Sequence, residues 1–316
     1  MRAKVLLTSP IHPKYQKELE KKVEVVVAPD TSADALRNAI RDCDGVIVRT
    51  HLPPDIFDHA PKLRAVVRHG VGLDLIPLEQ ATARKIPVAN LPGANTIAVV
   101  EYALAAIFLI RRNLALYDRT LREKGWQPAK QLSNDAIELA ASTCGIIGMG
   151  SIGTRLARYL HALEMKVIGL TRRPQTMPDF VEAVSKEELL SRSDIIVLAC
   201  PHNAETHHMI DAQAISFFKP GAAIINVARG PVIDTAALID GLRNGKVGAA
   251  VLDVHEPPIL SGKEEIFNCP NTWLTPHVAG ITASSMETLS RQSVETLLAL
   301  LDGQRPGNVV NPQVFD

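Results

Sequence analysis

Aromatic side chains and net charge are both in short supply in this chain. Of its 316 residues, aromatic residues make up 4%, and 34 basic residues balance 34 acidic ones. That balance argues against a general binder of nucleic acid or of anionic membranes, while a local basic pocket for a small anion stays open. No apolar run reaches about 18 residues without interruption, so no membrane span is expected.

Cysteine is equally sparse, and no metal-ligand pattern is present. The cysteines are scattered without a C-x-x-C pair, at Cys43, Cys144, Cys200 and Cys269. The first residues, Met1–Leu7, turn polar too quickly for a secretory signal, so reduced thiols in a cytoplasmic protein are expected. The adjacent His207 and His208 cannot share one face of a helix or strand. Because His202 and His207 also lack carboxylate or cysteine companions at ligand spacing, no metal site is predicted.

Short apolar strands alternate with amphipathic helices along most of the chain. In the first 94 residues we predict strands at Lys4–Thr8, Val23–Ala28, Gly45–Arg49, Arg64–Arg68 and Pro87–Ala89, and helices at Lys14–Lys22 and Ser32–Arg41. The alternation restarts at Cys144, with strands at Lys166–Leu170, Ile195–Ala199, Ala222–Val227, Ala249–Leu252 and Trp273–Thr275, and helices at Ser151–Ala162 and Asp234–Asn244. This order predicts an α/β protein with two doubly wound, mostly parallel sheets.

Two further helices frame the second alternation. Asn95–Arg112 is apolar on nearly every side, which indicates a helix buried between two domains or at a subunit interface. At about 27 Å, it is short for a membrane span. The last helix, Ser284–Leu301, is placed to return to the first domain.

A glycine motif opens the second half of the chain. Gly148, Gly150 and Gly153 form G-x-G-x-x-G between an apolar strand ending at Ile147 and a predicted helix. In a dinucleotide-binding loop the first glycine makes a tight turn, the second lets backbone approach the pyrophosphate, and the third lets helix and strand pack closely. A glycine-rich turn in an ordinary α/β protein is the alternative, and the flanking strand and helix make it the weaker one.

Polar residues follow three later strands, where ligands of a doubly wound sheet bind. Arg229 follows one strand, Asp253 and Glu256 the next, and His277 the third. An arginine can hold a carboxylate and polarise a carbonyl, a histidine can donate a proton, and a nearby carboxylate keeps that imidazole charged. Singly, Arg229 could be a surface ion pair, Glu256 a solvated loop residue and His277 a helix cap or a core hydrogen-bonding group. Together they suit hydride transfer to a 2-oxo acid.

With these motifs, nearly the whole chain resembles the D-isomer-specific 2-hydroxyacid dehydrogenases. Arg68–Asp74 resembles the family's glycine loop, Asn95–Glu101 its N-x-x-x-V-A-E helix start, and Thr275-Pro276-His277 its histidine motif. The resemblance implies a flavodoxin-like substrate domain (1–94 and 290–316) and a Rossmann dinucleotide-binding domain (95–289), with a cleft between them. It also implies a homodimer.

The family's site residues carry over by position. The resemblance implies Arg229 as substrate clamp, His277 as acid/base and Glu256 as its partner, with the substrate carboxylate on backbone N–H groups of Val71 and Gly72. The implied cofactor-binding set is Gly148, Gly150, Ser151, Ile152, Gly153, Thr171, Arg172, Arg173, Cys200, Pro201, Thr206, Val227, Ala228, Asp253 and Gly280. Arg49, directly after the third strand, is placed to touch substrate.

The chain departs from the family pattern in two places. The stretch from Asp253 to Glu256 is two residues shorter than usual, so the reach of Glu256 toward His277 is less secure. In the loop after the fourth strand, the family commonly has a histidine before the proline. This histidine is absent here, where the sequence is Ala199-Cys200-Pro201.

The residues after the second Rossmann strand bear on the choice of cofactor. NAD specificity usually depends on an acidic residue there, but this chain has Thr171-Arg172-Arg173. Arginine attracts a 2′-phosphate, which predicts NADP over NAD. The alternative is that the two arginines face solvent, or stack on adenine in an NAD enzyme.

The expected function is an NADPH-dependent reductase of small 2-oxo acids such as glyoxylate or hydroxypyruvate, which also runs as a D-2-hydroxyacid dehydrogenase. NAD-dependent 3-phosphoglycerate oxidation is the close rival, although no basic cluster for a phosphate is evident. A nucleotide-sensing regulator of the same fold is the second rival, and the intact Arg229, Glu256 and His277 argue against it.

Overall fold

The computed structural model of the protein describes residues 2–316, and the chain forms two compact units. Unit 1 contains the residues up to Asn95 together with Ile281–Asp316, and unit 2 contains Thr96–Gly280. Each unit has its own parallel sheet and its own buried core.

Unit 1 is built on five parallel strands in the order β2-β1-β3-β4-β5. The strands are β1 (Lys4–Leu7), β2 (Glu24–Val27), β3 (Gly45–Val48), β4 (Ala65–Arg68) and β5 (Val88–Ala89), and the helices are α1 (Pro13–Glu20), α2 (Ala33–Ile40), α3 (Leu78–Ala83) and α11 (Ala283–Leu301). This strand order is that of flavodoxin-like sheets. The predicted flavodoxin-like fold is therefore confirmed.

The core of unit 1 covers both faces of its sheet. Leu6, Val46 and Val66 belong to one apolar cluster, whereas Leu7 and Val67 belong to the other. Alternate residues of one strand thus point into opposite cores, which explains why these strands are continuous apolar runs. The C-terminal helix α11 supplies part of the second cluster, including Leu297, so the last helix belongs to unit 1.

Unit 2 has seven parallel strands in the order β12-β11-β10-β9-β6-β7-β8. The strands are β6 (Thr143–Ile147), β7 (Lys166–Leu170), β8 (Glu182–Ala183), β9 (Ile195–Leu198), β10 (Ala222–Asn226), β11 (Val247–Leu252) and β12 (Thr272–Leu274). Its helices are α4 (Thr96–Arg112), α5 (Leu114–Lys124), α6 (Trp126–Gln131), α7 (Ser151–Ala162), α8 (Lys186–Arg192), α9 (Ala212–Ser216) and α10 (Thr235–Arg243). This is the expected doubly wound, Rossmann-type sheet.

The predicted strands and helices are all present, with ends within two residues of the prediction. Asp234, the first residue of the predicted helix, is the N-cap of α10, since it accepts hydrogen bonds from the N–H groups of Ala236 and Ala237. Helices α3, α5, α6, α8 and α9 and the short strand β8 were not predicted. For α8 the signal is present as a capping box at Ser185 and Glu188, an S-x-x-E pattern before an apolar pair.

Three negative findings hold for residues 2–316. No helix there is long and apolar enough to cross a membrane. No group of three or more His, Cys, Asp or Glu side chains is arranged to hold a metal ion. The cysteines are all free and buried, and burial raises the pKa of the Cys144 thiol to about 12.

A buried imidazole in unit 1 couples folding to pH. His69 is 4% exposed and its Nε2 lies 2.9 Å from Ser290 Oγ on α11, which also accepts the N–H of His12. Burial, with Arg49 as a smaller cause, lowers the His69 pKa from 6.5 to about 3. A histidine with a depressed pKa in the folded state stabilises the protein above pH 6.5 and loses that contribution as the pH falls toward 3.

We expect His69→Gln to flatten the acid dependence of unit 1 stability. Glutamine keeps a hydrogen-bonding group for Ser290 but does not titrate. In urea unfolding between pH 4 and pH 8, the wild type should lose up to about 1.4 kcal/mol per pH unit below pH 6.5 from this one group, and the variant should lose correspondingly less. Identical pH slopes for the two proteins would show that His69 does not carry the coupling.

Candidate active site

The glycine loop links β6 to α7 through a tight turn. Gly148 has φ +101°, and a Cβ there would lie 2.6 Å from the backbone N of Cys200. A Cβ on Gly153 would lie 2.1 Å from the carbonyl oxygen of Gly148. The first and third glycines are therefore required by backbone conformation and by close helix–strand packing.

The start of α7 is suited to bind an anion. Gly150 is the N-cap residue and supplies no side-chain cap, and nothing lies within 4 Å of the place where its Cβ would be. The first helical N–H groups, from Ser151 to Gly153, have no partner inside a helix and carry the positive end of its dipole. Open space beside uncapped N–H groups fits a dinucleotide pyrophosphate.

The loop lies at the point where the strand order of the sheet reverses. Strand β6 pairs with β9 on one side and β7 on the other, so ligands are expected beyond its carboxyl end. The loop after β9 carries the predicted Cys200, Pro201 and Thr206. Thr206 Oγ1 accepts the N–H of Asn203 and donates to the carbonyl oxygen of Pro201, so its hydroxyl shapes this loop. Cys200 is buried, and burial raises its pKa.

The two arginines after β7 are exposed. Thr171 Oγ1 accepts the N–H of Arg173 at 3.2 Å, which ties down the turn that follows the strand. Arg172 has a side chain that is 76% exposed and lies 3.7 Å from Glu205, itself 71% exposed. An ion pair this open contributes little energy. Both guanidinium groups are thus accessible to a ligand.

Arg229 sits on a turn that Asn226 holds in shape. Asn226 is 1% exposed; its Oδ1 accepts the N–H of Ala228 and its Nδ2 donates to the carbonyl oxygen of Arg229. The half-buried Arg229 guanidinium donates to the Ala228 carbonyl at 2.7 Å. Val227 and Ala228 complete the turn, and Gly230 packs so closely that a Cβ there would meet the carbonyl oxygen of His255 at 2.0 Å.

Asp253 organises the loop that bears His277. Its buried carboxylate accepts hydrogen bonds from Thr275 Oγ1 at 2.7 Å, from the N–H of Val278 at 2.7 Å and from the N–H of Ala279 at 2.9 Å. The N–H of His277 donates to the Asp253 carbonyl oxygen at 2.8 Å, and His277 takes a left-handed φ of +56°. These contacts lock the backbone on both sides of an exposed imidazole.

Glu256 is paired with a histidine that the sequence did not single out as a partner. Its Oε2 lies 3.0 Å from His208 Nε2. The rings of His207 and His208 stack with centroids 4.1 Å apart. These adjacent histidines lie in neither helix nor strand, so the expectation that they cannot share one face of such an element does not apply to them, and His208 has φ +47°.

Unit 1 presents a loop with unused backbone donors. Arg68 donates to the carbonyl oxygens of Gly72 and His69 and so shapes the loop at Gly70–Gly72. Among residues 2–316, the N–H groups of Val71 and Gly72 donate to no other protein group. Two adjacent free N–H groups fit a carboxylate. Arg49 donates to the Pro10 carbonyl oxygen, and burial lowers its pKa.

The sheet of unit 2 brings the loops of Arg229, Asp253 and His277 to one edge. They follow β10, β11 and β12, which are neighbours in one parallel sheet. Asn226, Thr275 and Tyr102 support them, since the Tyr102 hydroxyl lies 2.6 Å from Thr275 Oγ1. Sequence reasoning missed these as supporting residues. A signal was available for Thr275, which stands in the Thr275-Pro276-His277 motif, and for Asn226, which directly precedes the assigned Val227 and Ala228.

We predict that alanine at Gly153 lowers stability, whereas alanine at Gly150 weakens dinucleotide binding. Gly153→Ala should lower the free energy of unfolding by about 1–3 kcal/mol, because its methyl group would overlap backbone. Gly150→Ala has space in the free protein and should change stability by no more than about 1 kcal/mol, yet weaken dinucleotide binding where a phosphate must approach. Urea unfolding and isothermal titration with NADP and NAD measure both effects. Wild-type dinucleotide affinity in Gly150→Ala would contradict the assigned phosphate loop.

Comparisons with known sequences agree with this geometry. The family model described as D-isomer specific 2-hydroxyacid dehydrogenase, NAD binding domain, matches residues 104–279. The glyoxylate reductase of Thermococcus litoralis is 34% identical over 331 aligned positions, covering 100% of this chain and 98% of that protein. The D-3-phosphoglycerate dehydrogenase of Methanocaldococcus jannaschii is 33% identical over 318 positions, covering 98% of this chain but 59% of that protein.

Solved structures share the whole two-unit fold. The NADPH-dependent glyoxylate/hydroxypyruvate reductase of Sinorhizobium meliloti, in complex with NADP and malonate, has a TM-score of 0.85 at 28% identity and covers 99% of this chain and 98% of its own. The D-lactate dehydrogenase of Aquifex aeolicus, complexed with NAD and lactic acid, has a TM-score of 0.87 at 27% identity, with 98% and 99% covered. The chain therefore belongs to the D-isomer specific 2-hydroxyacid dehydrogenases, which are oxidoreductases that use a nicotinamide dinucleotide.

Proposed function

We propose that this enzyme reduces glyoxylate or hydroxypyruvate with NADPH and also oxidises the corresponding D-2-hydroxy acids. The single observation that carries the proposal is the shared sheet edge of unit 2, which holds an uncapped phosphate-binding helix start, an arginine and a histidine on a locked loop. The relatives named as glyoxylate reductases support the choice of substrate.

We assign the dinucleotide to unit 2. Unit 2 carries the glycine loop and the strand ends expected of a Rossmann domain, and it contains the stretch that the family model describes as NAD binding. In the proposed arrangement the bound cofactor supplies a hydride to C2 of the 2-oxo acid. Asp253 and Gly280, beside the histidine loop, are assigned to the nicotinamide end.

The protein's own groups handle the substrate charge and the proton. In unit 1 the N–H groups of Val71 and Gly72 are carboxylate donors, and in unit 2 the Arg229 guanidinium holds a carboxylate and polarises the oxo group. His277 donates the proton that the new hydroxyl oxygen needs, and Glu256 keeps that imidazole charged. Asn226 and the Asp253 carboxylate fix the two loops, so that Arg229 and His277 need little reorganisation during reaction.

The preference for NADP rests on the residues that follow β7. No carboxylate stands at Thr171, and Arg172 and Arg173 expose two guanidinium groups beside that strand end. A 2′-phosphate gains charge-assisted hydrogen bonds from arginine, whereas a carboxylate would repel it. Glu205, near Arg172, is a weak competitor because both side chains are solvated.

The rival functions have less support. NAD-dependent 3-phosphoglycerate oxidation draws on the Methanocaldococcus relative, but this chain spans only 59% of that protein, and the Arg49 guanidinium already donates to the Pro10 carbonyl oxygen in the loop after β1. A nucleotide-sensing regulator would not need Arg229 and His277 on loops locked by buried Asn226 and Asp253.

Homodimer formation in a cytoplasmic setting stays a prediction. The exposed Leu114 and Trp126 are apolar surface that a second copy could cover.

An initial-rate screen tests the proposed reaction. Glyoxylate, hydroxypyruvate, pyruvate and phosphohydroxypyruvate are each offered with NADPH and with NADH. We expect the highest kcat/KM for glyoxylate or hydroxypyruvate with NADPH.

His277→Ala should lower turnover by about 10²–10⁴-fold while NADPH affinity stays within about twofold, because only the proton donor is lost. Wild-type turnover in that variant would exclude His277, and a preference for phosphohydroxypyruvate with NADH would favour the phosphoglycerate reaction.

The double variant Thr171→Asp, Arg172→Ala tests the phosphate contact. We expect it to lower NADPH affinity about tenfold or more and to raise NADH affinity, because a carboxylate replaces a guanidinium near the ribose. Arg158→Ala, which removes an exposed arginine from α7, is the matched control and should change neither affinity. Fluorescence titration gives the two dissociation constants. Equal NADPH affinity in the wild type and the double variant would contradict the assignment.

A further inference from the structure

The contact between His208 and Glu256 joins two loops of unit 2 that the fold already holds together. Their closest atoms, His208 Nε2 and Glu256 Oε2, lie 3.0 Å apart. Both side chains are partly exposed, at 39% and 38%, so the pair adds little to global stability. The contact instead fixes the position of the Glu256 carboxylate.

His208 is anchored by backbone rather than by its side chain. Its N–H donates to the carbonyl oxygen of Pro231 at 2.8 Å. Two residues on, Ile210 pairs with Ile233 in a parallel bridge, and Ile210 also accepts the N–H of Asp234 at 3.0 Å. The segment of His208 is therefore in fixed register with the turn that follows Arg229.

The same turn holds the backbone of Glu256. Gly230 follows Arg229, and a Cβ there would lie 2.0 Å from the His255 carbonyl oxygen and 2.8 Å from the backbone N of Glu256. The adjacent imidazole of His255 is engaged elsewhere, since its Nε2 lies 2.8 Å from the Thr275 carbonyl oxygen. His208 is thus the imidazole on a rigid support that reaches the Glu256 carboxylate.

Two further imidazoles fix the plane of the His208 ring. His207 stacks on it at an interplanar angle of 18°, and His207 Nδ1 lies 3.2 Å from His202 Nε2. The titratable groups that face His208 are therefore Glu256 directly, His207 through ring stacking, and His202 through His207.

We propose that His208 is a positioning residue. It donates a hydrogen bond to Glu256 and holds the Glu256 carboxylate in the position from which it supports proton transfer by His277. This inference rests on the proposed role of Glu256 as the partner of His277. The stretch between Asp253 and Glu256 is two residues shorter than the family pattern, which leaves the carboxylate close to β11 and makes an anchor outside its own loop useful.

The test replaces the imidazole in two ways. His208→Asn tolerates the left-handed backbone at φ +47° and shortens the side chain, so that its amide N–H is too far back to reach Glu256. His208→Gln keeps an amide N–H at similar reach but cannot carry charge. His161→Asn is the matched control, because it removes an imidazole that is stacked on Phe180 at 4.3 Å, on the last turn of α7.

We expect His208→Asn to lower kcat of glyoxylate reduction about tenfold while NADPH affinity and KM stay within about twofold. The alkaline limb of its pH profile should move to lower pH by about half a unit or more, because a well-placed carboxylate keeps an imidazole protonated to higher pH. His208→Gln should recover most of the kcat, and His161→Asn should match the wild type. Binding of oxamate to the NADP-saturated enzyme, measured calorimetrically against pH, should shift in the same direction without turnover.

Two control variants separate this inference from the proposed function. If Glu256→Gln and His277→Ala both lose turnover while His208→Asn keeps the wild-type kcat and pH profile, the positioning role is wrong and the proposed function stands. If Glu256→Gln and His277→Ala keep wild-type turnover, the proposed function itself fails. A Gln variant as impaired as the Asn variant would contradict positioning by a hydrogen bond.

Discussion

The site depends on a constraint of chain connectivity, because every strand of unit 2 runs parallel and so ends at the same edge of its sheet. Residues that are more than a hundred positions apart, such as Gly148 and His277, therefore follow strand ends along one line. The strand order reverses beside β6, which opens space for a ligand above the glycine loop. Helix α7 begins there with uncapped N–H groups, so phosphate binding and the candidate catalytic loops share one scaffold.

Buried polar side chains turn that edge into rigid loops. Asn226 and Asp253 each satisfy backbone groups of the turn that carries Arg229 or His277, and both are 1% exposed. Leaving such groups unpaired would cost about 1–3 kcal/mol each, so the turns are firmly specified. The reactive side chains can then stay solvent-accessible and pre-oriented, as electrostatic catalysis requires. The pairing of Glu256 with His208 extends the same arrangement to a carboxylate on a shorter loop.

Much of the fold could be predicted because its strands are short, continuous apolar runs with glycine-rich or polar ends. The glycine spacing predicted the turn between β6 and α7, and the candidate site residues were assigned to the ends of β10, β11 and β12, which the structure has at those positions. The partners of those residues could not be predicted in the same way. Tyr102 and Thr275 are 173 residues apart in the sequence, and His208 and Glu256 are 48 apart, so no local sequence pattern predicts either contact. The stacking of His207 on His208 could not be predicted, because the left-handed backbone at His208 produces no periodic pattern in the sequence.

The most direct test of the central claim is a crystal structure of the enzyme with NADP and oxamate. The account predicts that the oxamate carboxylate contacts the Arg229 guanidinium, and that the imidazole of His277 lies within hydrogen-bond distance of the oxygen on C2. A pyrophosphate bound away from Gly150, or an oxamate whose carbonyl oxygen lies far from His277, would contradict it.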